Sequence, residues 1–236
     1  LPYFYNNNLK ASDLVSLPPR LTALALQGCN WVVLSGGATD TRFTATKRTW
    51  FGGSAQEDGT NSILILPRTL TELAAKTVNI RKVDASSWPP QLKSLEVTGT
   101  LSCWPEDLEN LPSSLRRLHI GSFSLCRGFA SDEQSWISLF TSWKGLPPLW
   151  SLTIGALESV NFYTGVEHLY RLAYLWLPRT LRTLKWSLPV NRRFWKHLPR
   201  NLTEIHFSSP PDFYALLASD GPHLPSTIKG GSGVES

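Results

Sequence analysis

Methionine is absent from all 236 residues, position 1 included, as expected for a trimmed or processed piece of a longer chain. Cysteine is nearly absent: three residues, an odd and sparse set, argue against a disulfide scaffold. Charge is also low, at 17% of residues with a net +5. The basic pairs Lys47-Arg48, Arg81-Lys82, Arg116-Arg117 and Arg192-Arg193 are scattered, which reads as solvated surface and makes nucleic acid an unlikely partner. No apolar run is long enough to span a bilayer, and no charged-then-apolar start resembles a signal peptide. The compartment stays open, an intracellular setting being slightly favoured. Missing too are a Gly-rich phosphate loop, HExxH, a nucleophile elbow and CxxC. No catalytic residue, metal or cofactor is therefore expected.

What is present is a folding composition, 42% hydrophobic, and a repeated phrase. Trp88-Pro-Pro-Gln-Leu-Lys-Ser-Leu-Glu-Val and Leu111-Pro-Ser-Ser-Leu-Arg-Arg-Leu-His-Ile share one pattern. Related copies begin at Leu17, Leu66, Leu146 (one residue short), Leu177 and Leu198, with a remnant at Leu224-Pro-Ser-Thr-Ile228. Self-similarity at periods in the twenties is the signature of repeat architectures.

The stretch Leu21-x-x-Leu24-x-Leu26-x-x-Cys29 matches the LxxLxLxx(N/C) core of leucine-rich repeats, and the chain resembles that family. Its Leu-Pro-x-x-Leu-x-x-Leu form is similar to the short repeats of amoebal FNIP-type proteins and of bacterial effector ubiquitin ligases. The Phe-Asn-Ile-Pro block of the first and the Asn-x-Leu step of the second are missing, so the resemblance implies the fold and neither subfamily's activity. The implied fold is α/β: an irregular leucine-rich-repeat solenoid, a horseshoe with a parallel concave β-sheet and short convex helices or loops. The implied role is a non-enzymatic protein–protein interaction module binding a macromolecular partner through the concave sheet and inserted loops. A structural subunit of a large assembly, or the substrate-recognition domain of a ubiquitin ligase, are the alternatives.

The repeat has a physical logic. Proline fixes φ and lacks an N–H, so it belongs just before a strand. The alternation after it, as in Leu95-Glu96-Val97, turns apolar side chains to one face. One such strand cannot bury its face alone, whereas stacked neighbours make a continuous core. Residues 1–228 read as a single domain, with 1–16 a candidate cap and 30–65 an insertion or degenerate repeat. The tail 229–236 reads as a flexible linker. Ser131–Trp143 reads as a helix of about three turns, Ser131 its N-cap, with Trp136, Leu139, Phe140 and Trp143 on one face. A second helix is expected over Val166–Tyr174, and shorter ones near Asn191–His197 and Asp212–Ala218.

Numbering each repeat from its first core Leu, positions 3, 5 and 7 should form outward columns across the sheet. Leucine-rich-repeat proteins typically bind along such a surface, so the resemblance nominates Glu72, Glu96, Arg117, His119, Lys185, Glu204 and His206 as partner-binding residues. Neighbouring charges of opposite sign can equally satisfy one another with no partner. His119 and His206 share a column three repeats apart, about 14 Å at a strand spacing of about 4.8 Å, too far for one zinc. Trp31 and Trp50, in the 30–65 insert, are candidate interface anchors, since Trp is enriched at hot spots. Cys103 and Cys126 occupy place twelve of consecutive repeats and should stack, as buried thiols or, less favourably, as a disulfide. Asn201-Leu-Thr203 is a glycosylation sequon if the protein is secreted.

Overall fold

In the computed structural model, residues 3–5, 20–26, 31–37, 40–46, 62–81, 85–125, 133–157, 175–188, 190, 194–207 and 227–230 are described. Within them the Leu-Pro-x-x-Leu phrase is a turn. The proline carbonyl accepts the N–H of the leucine three residues on, at Pro67–Leu70, Pro89–Leu92, Pro112–Leu115, Pro178–Leu181 and Pro199–Leu202, all 2.9–3.1 Å. In the copy one residue shorter the bond tightens to Pro147–Leu149 at 2.7 Å. Proline suits this place because its fixed φ opens the turn and its missing N–H is not needed there.

Four of the turns are tied to the previous one by the residue before their first core Leu. Thr69, Ser114 and Thr180 donate their hydroxyls to the carbonyls of Leu21, Leu92 and Leu149 at 2.7–2.8 Å. Asn201 donates its amide to the Arg179 carbonyl at 3.1 Å. The recurrent Ser, Thr or Asn at this place thus satisfies a carbonyl that would otherwise be left at the turn.

From these turns run the strands. They are β1 (Tyr3–Tyr5), β2 (Ala23–Leu26), β3 (Trp31–Gly37), β4 (Asp40–Thr46), β5 (Ser62–Ile65), β6 (Glu72–Ala75) and β7 (Val78–Arg81). There follow β8 (Ser94–Cys103), β9 (Arg117–Leu125), β10 (Ser151–Leu157), β11 (Thr183–Trp186), β12 (Glu204–Phe207) and β13 (Thr227–Gly230). The fold is α/β, with one open sheet that is parallel except where β4 pairs with β3 and β5. The parallel path β1-β2-β6-β8-β9-β10-β11-β12-β13 is in strict register: Leu24, Leu73, Leu95, Leu118, Leu152, Leu184 and Ile205 stand side by side. All seven are at most 2% exposed, each contributing about 1.5–3 kcal/mol by burial. The strand β13 takes in Lys229 and Gly230, so the sheet reaches two residues into the tail assigned to 229–236.

The strands β8, β9 and β10 do not stop where the repeat pattern ends them. Burial changes parity along β9: Leu118 and Ile120 are inside, then Phe123. A flat strand turns alternate residues inward, so the change requires a bend at 121–122. Glycines occupy that bend on all three strands. A Cβ on Gly99 would lie 2.7 Å from the Lys76 carbonyl oxygen, one on Gly121 would overlap the Thr98 carbonyl, and one on Gly155 the Gly121 carbonyl. Beyond the bend the second legs pair again, Leu101 with Val78 on one side and Phe123 on the other. Phe123 and Leu157, at position 9 of their repeats, are thereby core residues of a continuing strand. Position 7, expected to extend the outward face, is instead the corner. The stretch 30–65, expected as an insertion or degenerate repeat, supplies β3, β4 and β5, an antiparallel extension hung on β7 by β3.

The bend also sets the neighbour of Cys103. An extra residue in β8 between Val97 and Thr100 shifts its register with β9, so Leu125 stands opposite Cys103. Cys103 is buried; Cys126 and Cys29, and with them the expected Cys103–Cys126 stacking, lie outside the described residues.

Helices close the connections. The helix α1 (Pro105–Glu109) has Pro at its start and two acids in its first turn, and buried Asp107 accepts the Trp104 N–H at 2.9 Å. It was legible in Trp-Pro-Glu-Asp but not among the expected helices. The helix α2 (Glu133–Ser142), continued by a 3-10 turn over Trp143–Gly145, is the expected one, with Leu139, Phe140 and Trp143 buried. A 3-10 turn over Phe194–His197 lies within the helix expected at 191–197. The helices expected at 166–174 and 212–218 lie outside the described residues, as do Ser131 and the side chain of Trp136. Tryptophan fills the core where repeats are uneven. Trp143 meets Phe123, Phe140 and Trp186, and Trp186 passes the contact through Phe194 to Trp195 and Phe207, with centroids 5.2–6.4 Å apart.

Candidate functional site

Two columns of outward side chains follow from the register. The first reads Ala23, Glu72, Ser94, Arg117, Ser151, Thr183, Glu204. The second, two residues along, reads Ala25, Ala74, Glu96, His119, Thr153, Lys185, His206. All seven nominated sheet residues stand on one face because the residues alternating with them along each strand, such as Leu73, Leu95, Leu118, Leu184 and Ile205, turn into the core.

Their charges are partly used up within the face. Arg117 reaches over Ser94 to Glu72, with its guanidinium 2.8 Å from a carboxylate oxygen. Both side chains are about half exposed, 59% and 46%, so water screens the pair strongly. His206 Nε2 lies 2.9 Å from Glu204 Oε1, a contact along one strand. Between these pairs stand Glu96, His119 and Lys185. Burial is the main influence on His119 and lowers its pKa below the usual 6.5; Glu96 on the next strand opposes this, and Lys185 two strands away adds to it. The imidazole is thus neutral at pH 7, able both to donate and to accept a hydrogen bond. Among the described residues no group of three or more His, Cys, Asp or Glu is placed to hold a metal ion. His119 and His206 are separated by β10 and β11, as the column spacing implied.

Neither of the two tryptophans nominated as anchors has a side chain among those described. Trp31 opens β3, paired with Thr46 in the antiparallel extension, and Trp50 lies outside the described residues. The large apolar side chains that are exposed among the described residues are others, Trp150 (52%) and Leu175 (36%).

A second feature escaped the column reading, which began at the first core Leu and so passed over the turns. Along the turn edge of β10–β12 lie three clefts of about 540, 370 and 430 Å³. Arg179 belongs to the first and second, Thr180 to the second and third, and Asn201 to the first and third. The signal for this edge was present in the sequence as Leu-Pro-Arg at 177–179 and 198–200; the copy at 66–68 precedes β6 and lines none of the three clefts.

No helix among the described residues is long and apolar enough to cross a membrane. No family model, curated protein or solved structure matches the chain.

Proposed function

We propose that the chain is a leucine-rich-repeat module that does no chemistry itself and recognises a protein partner across the face carrying Glu96, His119 and Lys185. The observation that supports this reading is the register: equivalent positions of successive Leu-Pro phrases stand side by side, so short polar side chains form rows on a broad, firmly backed surface. Such a surface suits recognition, because its backbone is fixed by the ladder while its side chains are free to vary. Glu72–Arg117 and Glu204–His206 frame it, and the three residues between them offer an acid, a neutral donor–acceptor and a cation within a few strands. A role as a buried subunit of an assembly has less to draw on, since Trp150 and Leu175 are the exposed large apolar side chains among the described residues.

The test is a comparison of two baits. Proteins cross-linked to the wild-type chain are identified beside those cross-linked to E96K/H119E/K185E, which inverts the row. Loss of specific partners from the variant supports the reading; an unchanged set from an equally stable variant would sink it.

A further inference from the structure

We propose that the turn edge of β10–β12 is a binding site for single-stranded nucleic acid, on a surface separate from the polar face and independent of the reading given to it. The argument starts from charge. The described residues between 143 and 203 hold Lys144, Arg179, Arg182, Lys185, Lys196 and Arg200, every one exposed, and not one Asp or Glu. None of the six pairs with a carboxylate among the described residues. Lys185 belongs to the polar face; the other five lie on the turns and strand entries that line the three clefts. Unneutralised cations crowded on one edge repel each other, and a polyanion relieves that repulsion while releasing its own counterions.

Aromatic rings interleave with these cations. Trp150 is 52% exposed and stands in a row with Arg116 and Arg182, each strand entry bonded to the next: Trp150 N–H to the Arg116 carbonyl at 2.7 Å, Arg182 N–H to the Trp150 carbonyl at 2.9 Å. The Arg182 guanidinium lies 5.6 Å from the Trp150 ring centroid, and Lys144 Nζ lies 5.5 Å from that of Trp176. With Arg182 near its ring and about half its surface still exposed, Trp150 offers a base a stacking platform at the middle of a cationic row. Arg179 and Arg200 sit on adjacent turns, linked through Asn201, about one strand spacing of 4.8 Å apart. They and Lys196 line the cleft of about 540 Å³, where backbone phosphates would lie while a base stacks at Trp150 beside Thr180 and Thr203. Stackable rings favour a nucleic acid over an acidic peptide, and only unpaired bases have faces free to use them.

The experiment is fluorescence anisotropy of a labelled single-stranded 12-mer, mixed with the intact chain across a series of salt concentrations. Four variants are compared: R179E/R200E, W150A, W150F and, as a net-charge control, R68E/K76E, two exposed residues outside this edge. The site requires R179E/R200E to weaken binding at least tenfold and to flatten the salt slope by about 1.4, about 0.7 for each lost phosphate contact. It requires W150A to weaken binding about 5- to 150-fold with W150F recovering most of it, as for loss of one stacked base. The charge control should change binding less than threefold. Absence of measurable binding at 50 mM salt would overturn the proposal, as would equal losses in R68E/K76E and R179E/R200E. So would tighter binding of a labelled poly-glutamate peptide with no effect of W150A, which would assign the edge to an acidic protein.

Discussion

Replacing Gly155 by alanine tests the bend that holds the sheet's two legs together. A Cβ there would overlap the Gly121 carbonyl oxygen and lie 2.6 Å from its carbon and 3.2 Å from its Cα. Those are backbone atoms of β9, which is pinned by ladder bonds to β8 on one side and β10 on the other. No rotamer can relieve the clash; the rung itself must move. Overpacking of this kind costs about 1–3 kcal/mol, and a fixed backbone neighbour places Gly155→Ala near the upper end. The alanine regains about 0.4–1 kcal/mol by restricting the unfolded chain, leaving a net loss of about 2 kcal/mol. At about 2–4 °C per kcal/mol for a chain of this size, the melting temperature should fall by about 4–8 °C. The matched control is Gly145→Ala, whose Cβ meets the side chain of exposed Glu109 at 2.8 Å. The Glu109 Cγ can rotate away, leaving Cβ at 3.1 Å and Cα at 3.3 Å, contacts that a shift of a few tenths of an ångström relieves, so the control should melt within about 2 °C of the parent. If the two variants melt together in calorimetry, close packing at the bend is not what the glycines provide.

Other outcomes follow from the same geometry. Trp186→Ala removes the ring that joins Trp143 to Phe194 and should cost about 3–5 kcal/mol in urea unfolding, with Trp186→Phe recovering much of it. Thr180→Val deletes the bond to the Leu149 carbonyl and should cost about 1 kcal/mol, although the residue itself is exposed. His119 should titrate below 6.5 by NMR, moving up in Lys185→Ala and further down in Glu96→Gln. Because the folded imidazole resists a proton that the unfolded chain accepts, stability is complete above pH 6.5 and falls as pH drops from 6.5 towards the folded value. His119→Gln should remove that part of the pH dependence. A double-mutant cycle between Glu72 and Arg117 should give a coupling of less than about 1 kcal/mol, the two side chains being largely in water.

The sequence by itself determined the rungs. Leu-Pro-x-x-Leu fixes where each turn falls, and the alternation after it fixes which side chains face inward, because proline's φ and the two-residue period of a strand are local properties. Hence the columns holding Glu72, Arg117 and Glu204, or Glu96, His119, Lys185 and His206, could be written down from the motif alone. The helix over Glu133–Ser142 was legible for the same reason: its apolar positions repeat at helical spacing within one short stretch.

What only the tertiary structure decided lies between rungs. One extra residue in β8 changes its register with β9 and sets Leu125 opposite Cys103, and a one-residue shift is invisible in a pattern that tolerates uneven spacing. The bend at Gly99, Gly121 and Gly155 is a contact between strands 22 and 34 residues apart, so each glycine alone looks like an ordinary loop residue. Likewise Lys144, Arg179, Arg182, Lys196 and Arg200 are spread over more than fifty residues and read as scattered surface charge. Parallel stacking returns the chain to the same edge at every turn, and that gathers them into one cationic rim around Trp150. Local chemistry sets the rung, and the register between rungs sets which distant residues meet.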